Sequence, residues 1–235
     1  MTITFNPSVD IQAAANDYQL DKRTRIFSVL DQDKAQELSD YIQNNVSYMA
    51  AYVLEGQYKT SSFESLKTLP QQEMQKLMQQ IYLQASQGIG FLYGRHLVDH
   101  RSQQDNLVQQ AFKFLNSPQT LDAIKQISGF DDIVAASAQV TRYLPSNFLT
   151  RHNDVHPTEQ RRVAYVLNLT QQWHPDWGGL LQFYQADGTP RDAWAPLFNS
   201  LSLFDVEHVH AVTNIAPFAV NPRLSITGWF RAKPL

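Results

Sequence analysis

His152, Asn153 and Asp154 put an imidazole and a carboxylate two positions apart, and His210, Arg223 and Ser225 follow downstream. On a strand, residues i and i+2 point to the same face, so His152 and Asp154 could reach one metal ion. A second imidazole from a distant strand would complete a 2-His-1-carboxylate set, which suits Fe(II) with coordination positions left open. The run from Arg223 to Phe230 alternates as a strand does. Arg223, Ser225, Thr227 and Trp229 face one side, and Leu224, Ile226 and Phe230 the other. An inward arginine beside two hydroxyls carries a large desolvation penalty unless an anion meets it. A dicarboxylate ligand could do so through a charge-assisted, bidentate pair. The competing reading is a strand whose polar face lies in water.

The remaining histidines read differently. His96 and His100 are four apart in a segment that could end a helix, and both read as surface residues. His174 lies in a turn rich in proline and glycine, and reads as structural or exposed. His156 follows His152 by four, the spacing of a helical zinc site. Such a site needs glutamate beside the first histidine, whereas asparagine stands there and Pro157 disfavours helix in the residue before it. A strand or loop with Asp154 as ligand fits better. His208 and His210 share parity, so either could face the metal.

These residues need a scaffold, and composition bounds it. The chain has 235 residues, room for one large domain or two small ones, and a net charge of −3. That balance gives no reason to expect nucleic acid or an anionic membrane as partner. The absence of cysteine excludes disulfides, thiolate zinc sites, iron–sulfur clusters and cysteine nucleophiles, and it suits a reducing compartment. No basic flank precedes an apolar run at the N-terminus, and no stretch approaches the roughly 18 apolar residues of a membrane span. The expectation is a soluble, cytoplasmic protein.

The chain changes character near residue 130. Helical spacing of Ala35, Leu38, Ile42 and Val46 predicts a helix over 33–46, capped by Asp33 with Gln36. Pro70 opens a second helix striped by Met74, Leu77, Met78 and Ile81, and Gly88 ends it. A third runs through Leu107, Val108, Ala111, Phe112 and Leu115. A fourth starts at Ser117-Pro118 and stops at Gly129. Short β-like runs at 48–54 and 88–94 lie between the helices. Beyond 130, strands are expected at 133–143, 161–170, 179–185, 201–206 and 223–230, with a hairpin-type turn at Asp187-Gly188. Many short strands without long helices between them imply a sandwich or jelly roll. The expected organisation is a mainly helical part, residues 1–130, packed on a β core, residues 131–235, in one structural domain.

The ordered series Tyr143, His152-Asn153-Asp154, Trp177-Gly178-Gly179-Leu180-Leu181, Phe204, His210-Ala211-Val212 and Arg223 to Phe230 resembles the Fe(II)- and 2-oxoglutarate-dependent dioxygenases, in particular the prolyl 4-hydroxylase-like group. The resemblance spans residues 133–231. It implies an α+β fold with a double-stranded β-helix core (jelly-roll, cupin-like) and the N-terminal helices outside. It also implies that His152, Asp154 and His210 hold the iron; the family's ligand precedes x-Val, which favours His210 over His208. Arg223 would pair with the distal carboxylate of 2-oxoglutarate, assisted by Ser225 and Tyr143. The implied cofactors are Fe(II), 2-oxoglutarate and O2, with ascorbate a further candidate. The implied reaction hydroxylates an unactivated C–H bond and releases succinate and CO2. In halogenating relatives the carboxylate ligand is replaced by a small residue, so Asp154 favours hydroxylation.

The resemblance suggests a peptidyl proline, for instance on a ribosomal or translation protein, but a shared site does not dictate substrate, and free amino acids or other small molecules stay open. Two further classes compete: a cupin-like metalloenzyme that does not use 2-oxoglutarate, and a non-catalytic β-sandwich binding module. Loss of 2-oxoglutarate binding on Arg223→Ala separates the first. Metal binding that depends on His152 separates the second. Gly178 and Gly179 read as a turn into the next strand, Trp173, Trp177 and Trp194 as packing, and Arg161 and Arg162 as surface ion pairs.

Overall fold

Alternating apolar residues dictate the centre of the molecule. A computed structural model describes residues 3–88 and 90–235. Its strands are β1 (Arg23–Phe27), β2 (Met49–Leu54), β3 (Gln57–Ser62), β4 (Phe91–Leu97), β5 (Ala135–Ala136), β6 (Gln139–Tyr143), β7 (Phe148–His152), β8 (Arg161–Asn168), β9 (Leu181–Tyr184), β10 (Pro190–Trp194), β11 (Ser200–Asp205), β12 (His210–Val212) and β13 (Arg223–Arg231). The helices are α1 (Ile11–Asp21), α2 (Gln32–Asn44), α3 (Phe63–Lys67), α4 (Gln71–Ser86), α5 (Leu107–Leu115) and α6 (Pro118–Ser128).

The strands form one sheet in the order β1-β11-β8-β13-β6-β4-β7-β12-β9-β10, with the β2–β3 hairpin attached to β4. Neighbours run antiparallel, and β4 pairs with both β6 and β7, which joins a larger half to a smaller one. The two halves curl to face each other, the double-stranded β-helix arrangement. One face of the larger half is apolar: Leu224, Ile226 and Phe230 of β13 join Val163 and Leu167 of β8 in the main core. Helices α1, α2, α5 and α6 cover that face from outside through Tyr18, Leu38, Ile42, Phe114 and Ile124. The opposite face, between the halves, sets a few polar side chains among apolar ones such as Ala164, Val166 and Leu181.

Local chemistry explains most helix ends. Ser117 accepts from the Thr120 N–H, Pro118 takes the first helical position, and Gly129 closes α6 at φ 79°. For α2 the cap differs from the expectation: Asp31, not Asp33, accepts from the N–H groups of Asp33 and Lys34. The hairpin joining β9 to β10 turns at Asp187-Gly188, with Gly188 at φ 89°. Helix α1 and strand β1 carry no strong apolar period, so neither stands out in the sequence. Strands β7, β10 and β12 are likewise short, and His96 lies within β4 rather than at a helix end. Among the described residues, no helix is long and apolar enough to cross a membrane.

Candidate active site

His152 ends β7 and stands opposite His210, which opens β12, in antiparallel register. Their ring centroids are 4.2 Å apart. Asp154 lies two residues beyond the end of β7, so strand alternation does not orient it. Its backbone N–H donates to the Val206 carbonyl at 2.8 Å, and Arg161 donates to the Asp154 carbonyl at 3.3 Å. One carboxylate oxygen then sits 3.6 Å from His152 Nε2 and the other 3.5 Å from His210 Nε2. Ligand atoms from all three lie within 4.8 Å of one another, close enough for one ion to bridge them.

The imidazoles are set for metal binding by their outer nitrogens. His152 Nδ1 lies 3.0 Å from the Thr150 carbonyl, and His210 Nδ1 lies 2.9 Å from the His208 carbonyl. A carbonyl only accepts, so each Nδ1 carries a proton, and Nε2 is the ring nitrogen turned toward Asp154. Burial, reinforced by the nearby His152, pushes His210 down to about 4, so its ring is neutral at physiological pH. His208 turns its own ring away to the Asp21 carbonyl at 2.8 Å and serves His210 through its backbone.

The same chamber, of about 70 Å³, is lined by Arg223, Tyr143, Thr141, Tyr93 and Thr227 as well as by the three clustered residues. Arg223 is 2 % exposed, and its Nε has no hydrogen-bond partner. Burial pulls its pKa below the usual arginine value. It faces Tyr143 across the β13–β6 register, with the guanidinium carbon 5.2 Å from the ring centroid. Tyr143 stacks on Tyr93 at 4.9 Å. Ser225 is fully buried, and its hydroxyl meets that of Thr141 at 2.8 Å; Thr141, rather than Ser225, reaches the chamber wall. A buried guanidinium with an orphaned N–H fits an anionic ligand, as the two-imidazole, one-carboxylate cluster fits Fe(II).

Tyr93 and Thr141 belong to the site without any motif to announce them. Both sit on strands bonded to motif-bearing strands, and only register brings them in; no local signal marks them. The other histidines stay outside the cluster. His96 bonds to the Ser47 carbonyl, His174 caps a 3-10 turn at Pro175–Trp177, and His156 accepts from Thr158 in the loop after Asp154. Trp173 donates to the Gly178 carbonyl, and Trp194 packs edge-on against Phe183. Arg162 pairs with Asp132 at 2.7 Å on the surface, as expected. Arg161 differs: besides pairing with Glu159, it stacks 3.5 Å over the Trp229 ring beside the site.

The fold and cluster define a double-stranded β-helix carrying a His-x-Asp…His constellation between its two halves. Residues 138–231 match the model of the 2OG-Fe(II) oxygenase superfamily. In sequence, the chain is similar to the prolyl 3-hydroxylase OGFOD1 of Mus musculus, at 32% identity over 114 residues, covering 46% of this chain and 20% of that protein. The chain thus spans about a fifth of the length of that curated relative. In structure it is similar to a prolyl-4-hydroxylase of Pseudomonas putida, with TM-score 0.64, 20% identity, and coverage of 95% of this chain and 99% of that one. It is also similar to a 2OG-Fe(II) oxygenase family oxidoreductase of Burkholderia pseudomallei, with TM-score 0.62, 12% identity, and coverage of 99% and 96%.

Proposed function

We propose that this chain is an Fe(II)- and 2-oxoglutarate-dependent dioxygenase that hydroxylates an unactivated C–H bond, with a prolyl residue of a polypeptide as substrate. The observation that carries the reading is Arg223, a buried cation without a counter-charge, in the same chamber as the three-ligand cluster. A cupin-like enzyme without 2-oxoglutarate has no use for that cation. Two of the three named relatives are prolyl hydroxylases, which supports the choice of substrate. The cysteine-free composition suits a reducing compartment, and the proposed location is the cytoplasm.

In this reading His152, Asp154 and His210 hold the iron. Iron and 2-oxoglutarate together supply the activation of O2, with release of succinate and CO2. Arg223 pairs with the distal carboxylate of the cosubstrate and so sets its orientation. Tyr143 braces the guanidinium, and Ser225 acts through Thr141. Their contribution is to fix geometry and to keep water from the reacting carbon.

Anaerobic titration of Fe(II) and 2-oxoglutarate tests the reading. A visible charge-transfer band should appear in the native protein, and it should be absent from His152→Ala and Arg223→Ala. Undiminished 2-oxoglutarate-dependent turnover by Arg223→Ala would sink the assignment of that residue.

A further inference from the structure

Outside the chamber lies an open groove of about 430 Å³ that reaches His152 and Asp154 at its floor. Its walls carry Arg95 from β4, Arg151 from β7 and Arg161 from β8. Of the three, only Arg161 has an acidic partner, Glu159 at 2.8 Å. Among the described residues neither Arg95 nor Arg151 has a carboxylate within 4.0 Å. Among the described residues the one carboxylate lining the groove is Asp154, and it faces the two imidazoles. A bound divalent metal would add further positive charge. A concave surface with this imbalance focuses a field that attracts anions.

Two further features describe the shape of what it attracts. Trp229 lines both chamber and groove, and its indole N–H is buried without a hydrogen-bond partner, so an incoming acceptor is needed there. Tyr58, on the β2–β3 hairpin, also lines the groove yet is 80% exposed, an apolar surface left for a ligand to cover. A peptide carbonyl suits the first feature and an extended chain crossing the groove suits the second.

We infer that the substrate is an extended polypeptide segment carrying glutamate or aspartate close to the residue that is oxidised, held by Arg95 and Arg151. The inference rests on the proposed oxygenase activity and narrows its substrate class. The acidic side chains neutralise the two guanidiniums that have no carboxylate partner, Arg95 beside the Tyr93 hydroxyl and Arg151 over the Tyr184 ring, and the segment's backbone satisfies Trp229.

Fluorescence anisotropy tests it with the full chain loaded with Mn(II) and 2-oxoglutarate, which binds substrate without turnover. The probes are three labelled proline-centred peptides of equal length, flanked by glutamate, by glutamine or by lysine. The glutamate peptide should bind roughly ten-fold tighter than the glutamine peptide at low salt, about 1.4 kcal/mol, and this advantage should shrink at high salt. The double variant Arg95→Gln/Arg151→Gln should erase the preference while the glutamine peptide binds as before, and Arg95→Lys/Arg151→Lys should restore most of it. Thermal melting and 2-oxoglutarate titration of each variant report folding. Equal binding of glutamate and glutamine peptides, binding of neither, equal loss of both in the double variant, or displacement by free glutamate as effective as by the peptide would each overturn the inference. Failure of metal and 2-oxoglutarate to bind the native chain would instead overturn the oxygenase reading, so the two failures are distinguishable.

Discussion

Arg223 and Tyr143 oppose each other across the β13–β6 register, and the guanidinium carbon sits 5.2 Å from the phenol ring centroid. That contact is the main compensation a fully buried arginine receives, and cation–π attraction is worth about 1–2 kcal/mol, well below the desolvation penalty. Replacing Arg223 by leucine should therefore leave the Tm of the cosubstrate-free protein equal or higher. The same change should weaken 2-oxoglutarate binding about 100-fold, ~3 kcal/mol. Thermal melts with and without 2-oxoglutarate check both parts. A large fall in Tm without cosubstrate would show that Arg223 is needed for folding instead.

Gly179 backs the stem of that arginine. Its φ of 63° suits glycine, and a Cβ there would come within 2.5 Å of Ile215 Cδ1 and 3.1 Å of Arg223 Cδ. Gly179→Ala should thus cost about 1–3 kcal/mol of stability. It should also raise the KM for 2-oxoglutarate, because the guanidinium shifts with its stem. Urea unfolding and cosubstrate kinetics measure the two effects; a stable variant with native KM would refute the contact as a positioning device.

Burial and the nearby His152 push His210 down to about 4 from 6.5. The folded protein therefore binds fewer protons than the unfolded chain between those values, and stability is lost as pH falls through that window. Urea unfolding of the metal-free protein should show a loss of up to about 3 kcal/mol between pH 7 and pH ~4 from this residue alone. His210→Gln should flatten that slope. An unchanged slope would mean that the ring is not buried neutral.

Much of this site is legible in the residues themselves. His152, Asp154, His210 and Arg223 stand in an order and at spacings that name a chemistry, and the alternation of residues 223–230 correctly separates Leu224, Ile226 and Phe230, in the core, from Arg223, Thr227 and Trp229, on the chamber wall. For Asp154, strand alternation accounts only in part for its place beside His152: it lies past the strand end, held by Val206 and Arg161 rather than by the pleat. Tyr93 and Thr141 are illegible because pairing register, and not local sequence, brings them to the chamber. Strand β1 hides for a related reason. Its alternation sets Thr24 and Ile26 inward against Arg23 and Arg25, too short and too charged a pattern to stand out.

The place of β13 has a consequence for synthesis. The last strand of this sheet in chain order lies between β8 and β6, in the middle of the larger half, and it carries Arg223. On the ribosome, the β2–β3 hairpin can form as soon as it emerges, because its strands are joined by Glu55-Gly56 alone. Strand β1 must wait for β11, and β8 and β6 remain unjoined until residues 223–231 arrive. Vectorial emergence therefore lets the sheet form in two pieces, β1-β11-β8 and β6-β4-β7-β12-β9-β10, which only β13 joins. A nascent chain halted before β13 would expose the apolar edges of β8 and β6 to chaperones, and would hold the His-x-Asp pair without the arginine that orients its cosubstrate.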